Sequence, residues 1–327
     1  MHVRMIAIFI IALFAFSSCD VGTGSNDPIK GMYGYFSWRI WHRELTITRY
    51  NGSETAVNIP AFINGKPVAA IGELAFSRSQ LAQITIPDSV ITIEYSAFSH
   101  NRLTQVIIPN NVTRIGARAF SDNQLAQVTI GNRVTSIYWA TFSNNHLTQV
   151  TIGNRVTNIG DFAFSDNQLT QVTIPNSVTS IGIRAFQNNQ LSEITIGNQV
   201  RVIGDFAFQG NRLTEVTIPR SVTAIGPSAF ADNQLSQLVI PDSITNIWDS
   251  AFRNNRLTGL VIPDSVTAIW GQTFAGNQLT RVTIGAGVHL DQNVIGGGFE
   301  NAYNESGRAA GIYTRPNANS TIWTRQE

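Results

Sequence analysis

The chain holds a single cysteine, Cys19, in 327 residues, so no disulfide framework can brace it. Lysine is nearly absent, with Lys30 and Lys66 alone, and only 13% of residues are charged. The 22 basic residues almost balance the 21 acidic ones and form no basic stripe. That argues against nucleic acid as a partner, because phosphate neutralisation drives such binding. The five histidines (His2, His42, His100, His146 and His289) sit at no metal-ligand spacing with cysteine, histidine or carboxylates. No metal site and no cofactor are expected. Nor is there an apolar run of the ~20 residues that a spanning helix requires, since Met5 to Phe16 stops at twelve.

What is abundant is repetition. From Leu81 to Gln278 a 22-residue unit recurs nine times. Its first residue is always Leu, its sixth and thirteenth always Ile, its eighteenth always Phe and its twenty-first always Asn. Written once, the unit is L-x-x-[VIL]-x-I-[PG]-x-x-[VI]-x-x-I-x-x-x-[AT]-F-x-x-N-x. A fixed period of this length marks a solenoid, whose units bury their apolar faces only against one another.

Within a unit, positions four and six are apolar and positions three and five polar, as in Gln149-Val150-Thr151-Ile152. This two-residue alternation predicts a half-buried strand, closed by the Pro or Gly at position seven. A second extended stretch buries positions ten and thirteen, and Gly at position fourteen in five coils (Gly116, Gly160, Gly182, Gly204, Gly226) predicts a bend. The Ala-Phe pair then anchors a short helical or turn segment. Stacked at ~4.8 Å per coil, nine coils and their caps span on the order of 50 Å. The expected fold is a mainly β solenoid, with a parallel sheet on one face and short strands or helical turns on the other.

The F-x-x-N-x-L-x-x-V-x-I-P run, with Ala-Phe before it, resembles the BspA-like class of bacterial leucine-rich repeats. The likeness extends through Leu45 to Tyr50, Val57 to Pro60 and Ile63 to Val68, which look like that class's entry module. At the far end, Phe299 to Tyr303 and Ala310 to Tyr313 are similar to its terminal segment. Residues 31–80 are therefore expected to hold an N-terminal cap and a degenerate first coil, and residues 81–278 the nine repeats. Residues 279–327 should hold a final strand and a C-terminal cap. The aromatic stretch Tyr33 to Trp41 is suited to lid the first coil as strands beside Leu45 to Tyr50.

Residues 1–18 have the plan of a secretory signal peptide: His2 and Arg4, the apolar run, then Ser17 and Ser18. Phe16-Ser17-Ser18-Cys19 resembles a bacterial lipobox, with Phe16 where that pattern prefers Leu. The resemblance implies lipidation at Cys19, a membrane anchor, and a tether over residues 19–30.

No nucleophile–base pair or convergent carboxylate pair can be argued from spacing, so no enzyme is expected. Gly296-Gly297-Gly298 lacks the strand-turn-helix context of a phosphate loop and reads as a cap turn. The Asn row (Asn101, Asn123, Asn145, Asn167, Asn189, Asn211, Asn233, Asn255 and Asn277) reads as backbone bonding at tight turns. Departures from the unit are the candidates for partner contact. Ile107, Val239 and Val261 interrupt the Thr row at position five. Tyr138, Trp248 and Trp270 replace glycine at position fourteen, Tyr95 and Trp139 follow at fifteen, and Phe162 and Phe206 at sixteen. These aromatics form either a ladder covering the core edge or a contact patch.

The BspA-like resemblance implies attachment to host matrix proteins or other cells. The expectation is a lipoprotein at the outer membrane or cell surface with a protein ligand. A periplasmic scaffold lipoprotein and a carbohydrate-binding module using the aromatics are the alternatives. The oligomeric state is left open.

Overall fold

A computed structural model describes residues 28–326; the expected signal peptide and Cys19 lie outside the described residues. The expected tether ends earlier than residue 30. Ile29 and Lys30 already belong to strand β1 (Ile29–Tyr33), antiparallel to β2 (Phe36–Trp41), which pairs with β3 (Glu44–Tyr50). The apolar Ile29 lies opposite Ile40, and that pairing draws the chain into the sheet sooner than its polar flank predicted.

From β3 onward the chain is a β-solenoid of about eleven coils. Its core is a set of rows, one residue per coil. The Leu, Ile and Phe positions are buried throughout the repeats, as are positions ten and seventeen wherever apolar. Ten Phe rings, Phe76 to Phe274, stack face to face at 5.1–5.7 Å, and Tyr50 extends the column at the N-terminal end. Offset stacking suits aromatic quadrupoles, and burying each ring contributes about 1.5–3 kcal/mol.

Two strand ladders run along the stack, and their weights differ from expectation. The longer one is built from positions twelve and thirteen, such as Asn158–Ile159 and Ser180–Ile181; it joins β1–β3 in a twelve-stranded sheet that runs to Ala224–Ile225, and a separate three-stranded sheet follows from Asn246. The alternating strands at positions three to five, such as Gln127–Thr129 with Gln149–Thr151, form separate small sheets. No strand forms over positions three to five in the coils carrying Ile107, Thr217 and Val239.

Positions fourteen to twenty form overlapping turns. Positions seventeen and nineteen donate within the coil, as in Ala163 N–H to Gly160 C=O and Ser165 N–H to Phe162 C=O. Positions sixteen, eighteen and twenty donate to the next coil, as in Phe162 to Ile183, Phe164 to Ala185 and Asp166 to Gln187. Alternate N–H groups can point along the axis because positions sixteen and twenty are left-handed, with φ near 55° at Arg118, Phe162 and Asp166 alike. Position fourteen is not such a bend. Its glycines answer close approach instead: a Cβ on Gly116 would lie 2.6 Å from the Glu94 carbonyl carbon, and one on Gly204 2.7 Å from that of Gly182.

The Phe carbonyl has no backbone donor in this arrangement, and the Asn carboxamide supplies one. Asn167 Nδ2 donates to the carbonyls of Phe142 (3.0 Å), one turn back, and of its own Phe164 (3.2 Å) and Ser165 (3.1 Å). Its Oδ1 accepts the Leu147 N–H at 3.0 Å. The same set recurs from Asn101 to Asn255, and Asn277 keeps the bonds to Leu257, Phe252 and Phe274.

The C-terminal end is closed by α1 (Phe299–Glu305) and by Gly311–Thr314, which runs antiparallel to Arg281–Ile284. Phe299, Tyr303, Tyr313 and Trp323 pack edge to face beneath them. Gly296, Gly297 and Gly298 all take positive φ, and the Glu300 carboxylate accepts the N–H groups of Ile295 and Gly296. Arg315 is buried and has no ion-pair partner among the described residues; it donates to the carbonyls of Leu279 and Ser320 and lies over Trp323, and burial lowers its pKa.

Replacing Asn167 with Ala orphans the buried Leu147 N–H and takes one of two donors from the Phe142 and Phe164 carbonyls, which keep Asn145 and Asn189. Urea unfolding is expected to register a loss of about 2–3 kcal/mol. Asn167→Asp should fare no better, because a carboxylate accepts but cannot donate.

Candidate binding surface

The exposed departures from the repeat fall on two different parts of the coil. Val239 and Val261 project from positions three to five at 78% and 62% exposure. They line an open cavity of about 840 Å³ with Asp242, Asp264, Thr283 and the returning chain at Ala310 and Gly311. Ile107, 85% exposed, stands apart at the other end of that face between two smaller hollows of about 280 and 320 Å³. The structure brings the two valines together and leaves Ile107 alone.

The second part is the corner at positions fourteen to sixteen. Trp248 and Trp270 stack nearly parallel, with centroids 5.6 Å apart and planes 6° apart, and the His289 ring meets Trp270 edge-on at 5.9 Å. Trp248 is exposed, while Trp270 is half-buried and its Nε1 has no hydrogen-bond partner. Tyr138 lies under the Arg114 guanidinium and Trp139 under that of Arg118, both at 5.6 Å. Tyr95 is exposed two coils before Trp139.

Four glycine coils separate Tyr138 from Trp248, and the coil spacing varies along the stack. Around Tyr138, Trp248 and Trp270 the Phe rings stand 5.6–5.7 Å apart. Between the glycine coils they close to 5.3–5.4 Å. Glu94, thin and flexible at the same position, leaves spacings of 5.1 and 5.3 Å. The wider spacings coincide with the aromatic coils, two of which also carry Thr (Thr141 and Thr273) in place of Ala at position seventeen.

The arginines of this corner were not singled out by sequence. Arg184 is held between Phe162 and Phe206, its guanidinium 5.3 and 5.0 Å from the two ring centroids. The three residues share position sixteen in successive coils, so reading the repeats down that column exposes a Phe-Arg-Phe series. Arg118 also bonds the Asp122 carboxylate at 3.1 Å, and His100 Nδ1 lies 3.6 Å from it; these are the ion pairs among the described residues. Burial pushes the Asp122 carboxyl up, but bonds from Asn144 and Ser121 and the charges of His100 and Arg118 outweigh it and hold it below the usual aspartate range.

Among the described residues no group of three His, Cys, Asp or Glu could hold a metal, and no helix is long and apolar enough to cross a membrane. The geometry offers aromatic and aliphatic contact area bordered by arginine, the materials of a protein-binding face.

Stacked 22-residue coils with buried Leu, Ile, Phe and Asn rows define a leucine-rich-repeat solenoid. The profile of the BspA type leucine rich repeat region, in 6 copies, matches residues 54–169 and 157–281, and the chain belongs to that family. Among solved structures it is similar to a leucine-rich repeat protein from Bacteroides ovatus, with 18% identity, 82% of this chain and 78% of that one covered, and a TM-score of 0.51. The pneumococcal vaccine antigen PcpA matches at 16% identity over 82% of this chain and 86% of its own, also at 0.51. A leucine rich cell surface protein from Faecalibacterium prausnitzii shares 26% identity over 81% of this chain and 91% of that one, with a TM-score of 0.46. No curated protein matches the chain.

Two outcomes test this corner. Removing the sandwiched charge with Arg184→Gln should lower stability by about 1–2 kcal/mol, the worth of two partly solvated cation–π contacts, with Arg184→Lys falling between. For Asp122, whose folded pKa is depressed, the stabilisation is present above the unfolded value of about 3.9 and is lost as pH falls through the folded one. The melting-temperature gap between the wild type and Asp122→Asn should therefore narrow on acidification from about pH 5 to about pH 2.

Proposed function

We propose that this chain is an exported lipoprotein, anchored through Cys19 at the outer membrane or cell surface, whose solenoid binds protein ligands in adhesion to host matrix or to other cells. Export is supported by the run from Met5 to Phe16 and the lone cysteine that follows it. The observation that carries binding is the aromatic corner, in which Trp248, Trp270 and Tyr138 stand where five sister coils have glycine, Trp139 adjoins Tyr138, and all but the half-buried Trp270 are exposed. Rigid aromatics rimmed by arginine are the residues that dominate protein interfaces. Trp248 and Trp270 spend their facing surfaces on each other, which favours a protein partner over a sugar needing a free ring face. Val239 and Val261, beside the C-terminal cap, and Ile107 offer secondary contacts. No catalytic step is assigned.

Protease treatment of intact cells should remove the protein if it is displayed outward; protection would place it in the periplasm as a scaffold. The Trp248→Ala/Trp270→Ala variant should keep its circular dichroism spectrum and lose at least about tenfold in affinity for immobilised matrix protein. Unchanged binding by that folded variant would remove the aromatic corner from the interface.

A further inference from the structure

The terminal strand pair carries a charge arrangement that the fold itself does not use. In the β1–β2 register Lys30 lies directly opposite Arg39, so two cations share one face of the sheet. Like charges in that relation are destabilising. Among the described residues neither makes an ion pair, and Arg39 Nε is buried without a hydrogen-bond partner there. Glu44, at the end of β3, lies opposite Trp41 and forms no salt bridge with either cation.

This is the outward face. The half-exposed Arg39 lies in register with Thr46 and Ala70, which are themselves covered, and through them with Thr92 and the position-twelve row, whereas Trp38 faces inward over Gly31. On the same face, by the two-residue period, stand Met32 at 66% exposure and Trp41 at 45%. The surrounding cap, residues 28–80, holds six basic residues (Lys30, Arg39, Arg43, Arg49, Lys66, Arg78) against three acidic ones (Glu44, Glu54, Glu73) in a chain otherwise near neutrality. Both lysines of the protein are there. Exposed Trp with Met beside unpaired Lys and Arg is the composition of a membrane-interface surface.

Chain length supplies the location. Pro28 follows Cys19 by nine residues, which reach at most ~30 Å when extended. An acyl group on Cys19 thus holds this cap within reach of the headgroups, and one anchor joined to a basic patch binds better than either alone.

We infer that the outward face of β1 and β2 docks on an anionic phospholipid surface, laying the N-terminal end of the solenoid against the bilayer that anchors it. The inference rests on the lipoprotein reading for its geometry but can be tested without the lipid. The core and both caps lie within residues 28–326, so a chain starting at position 19 with Cys19→Ser keeps everything the fold uses. At low ionic strength that chain should co-sediment with phosphatidylcholine vesicles containing phosphatidylglycerol and not with phosphatidylcholine alone, and added salt should release it. Lys30→Gln/Arg39→Gln should cut partitioning roughly thirty-fold, from about 1 kcal/mol per cation. Trp41→Ser should weaken it while leaving the salt dependence intact.

Equal binding to both vesicle types, no binding, or unchanged binding by the double Gln variant would overturn the inference. So would retention on heparin without vesicle binding, which marks a soluble polyanion as the occupant, or a dimer abolished by the same substitutions. Detergent-phase partitioning of the wild-type chain against Cys19→Ala tests lipidation separately, so the two failures are distinguishable.

Discussion

The buried Asn carboxamide is the interaction on which the rest of this molecule depends. A coil of 22 residues closes through turns whose backbone groups cannot all find partners in the backbone, and the Phe carbonyl is the one left over. One side chain with a donor and an acceptor at opposite corners of a rigid plane satisfies it and its stacked neighbour together. It also receives the Leu N–H that opens the coil. An insertion between Leu and Asn would move the amide out of reach of both turns, so the unbroken period and the bond set are one constraint.

That constraint also accommodates backbone strain. Position sixteen is left-handed in every repeat, although it is held by Ser, Arg, Ala, Phe or Gln and never by Gly or Asn. An L-residue in that region costs on the order of 1–2 kcal/mol. Each instance turns one N–H to the carbonyl of the following coil, and the stack holds it there. The conformation belongs to the column more than to the residue, which leaves the side chain free to vary and to carry arginine and aromatics outward.

This freedom explains what could be read in advance. The Leu, Ile and Phe rows were legible because each is fixed by burial, which acts on residue type directly. The glycines at position fourteen were visible but misleading: they mark close approach of coils, a relation between residues 22 apart, whereas the left-handed turn two positions later has no composition to betray it. Alternation at positions three to five drew attention to the more regular-looking strand, yet the longer ladder is formed by the two-residue strands at positions twelve and thirteen. The Trp248–Trp270 pair was recoverable from its spacing. The Arg184 sandwich needed the repeats read as columns, and the Lys30–Arg39 pair required an antiparallel register that no periodicity encodes.

Because positions sixteen, eighteen and twenty all donate to the following coil, the turn column is polar from end to end. Its peptide dipoles add, with donors presented toward the last coil and acceptors toward the first, the reverse of an α-helix. The two ends of such a stack are mutually complementary, so an uncapped end offers the surface on which a further coil would stack. At one end Tyr50 N–H takes the Ala75 carbonyl, and at the other the Val294 carbonyl takes Phe274 N–H. The caps thus occupy the two positions from which the repeat could otherwise be extended head to tail.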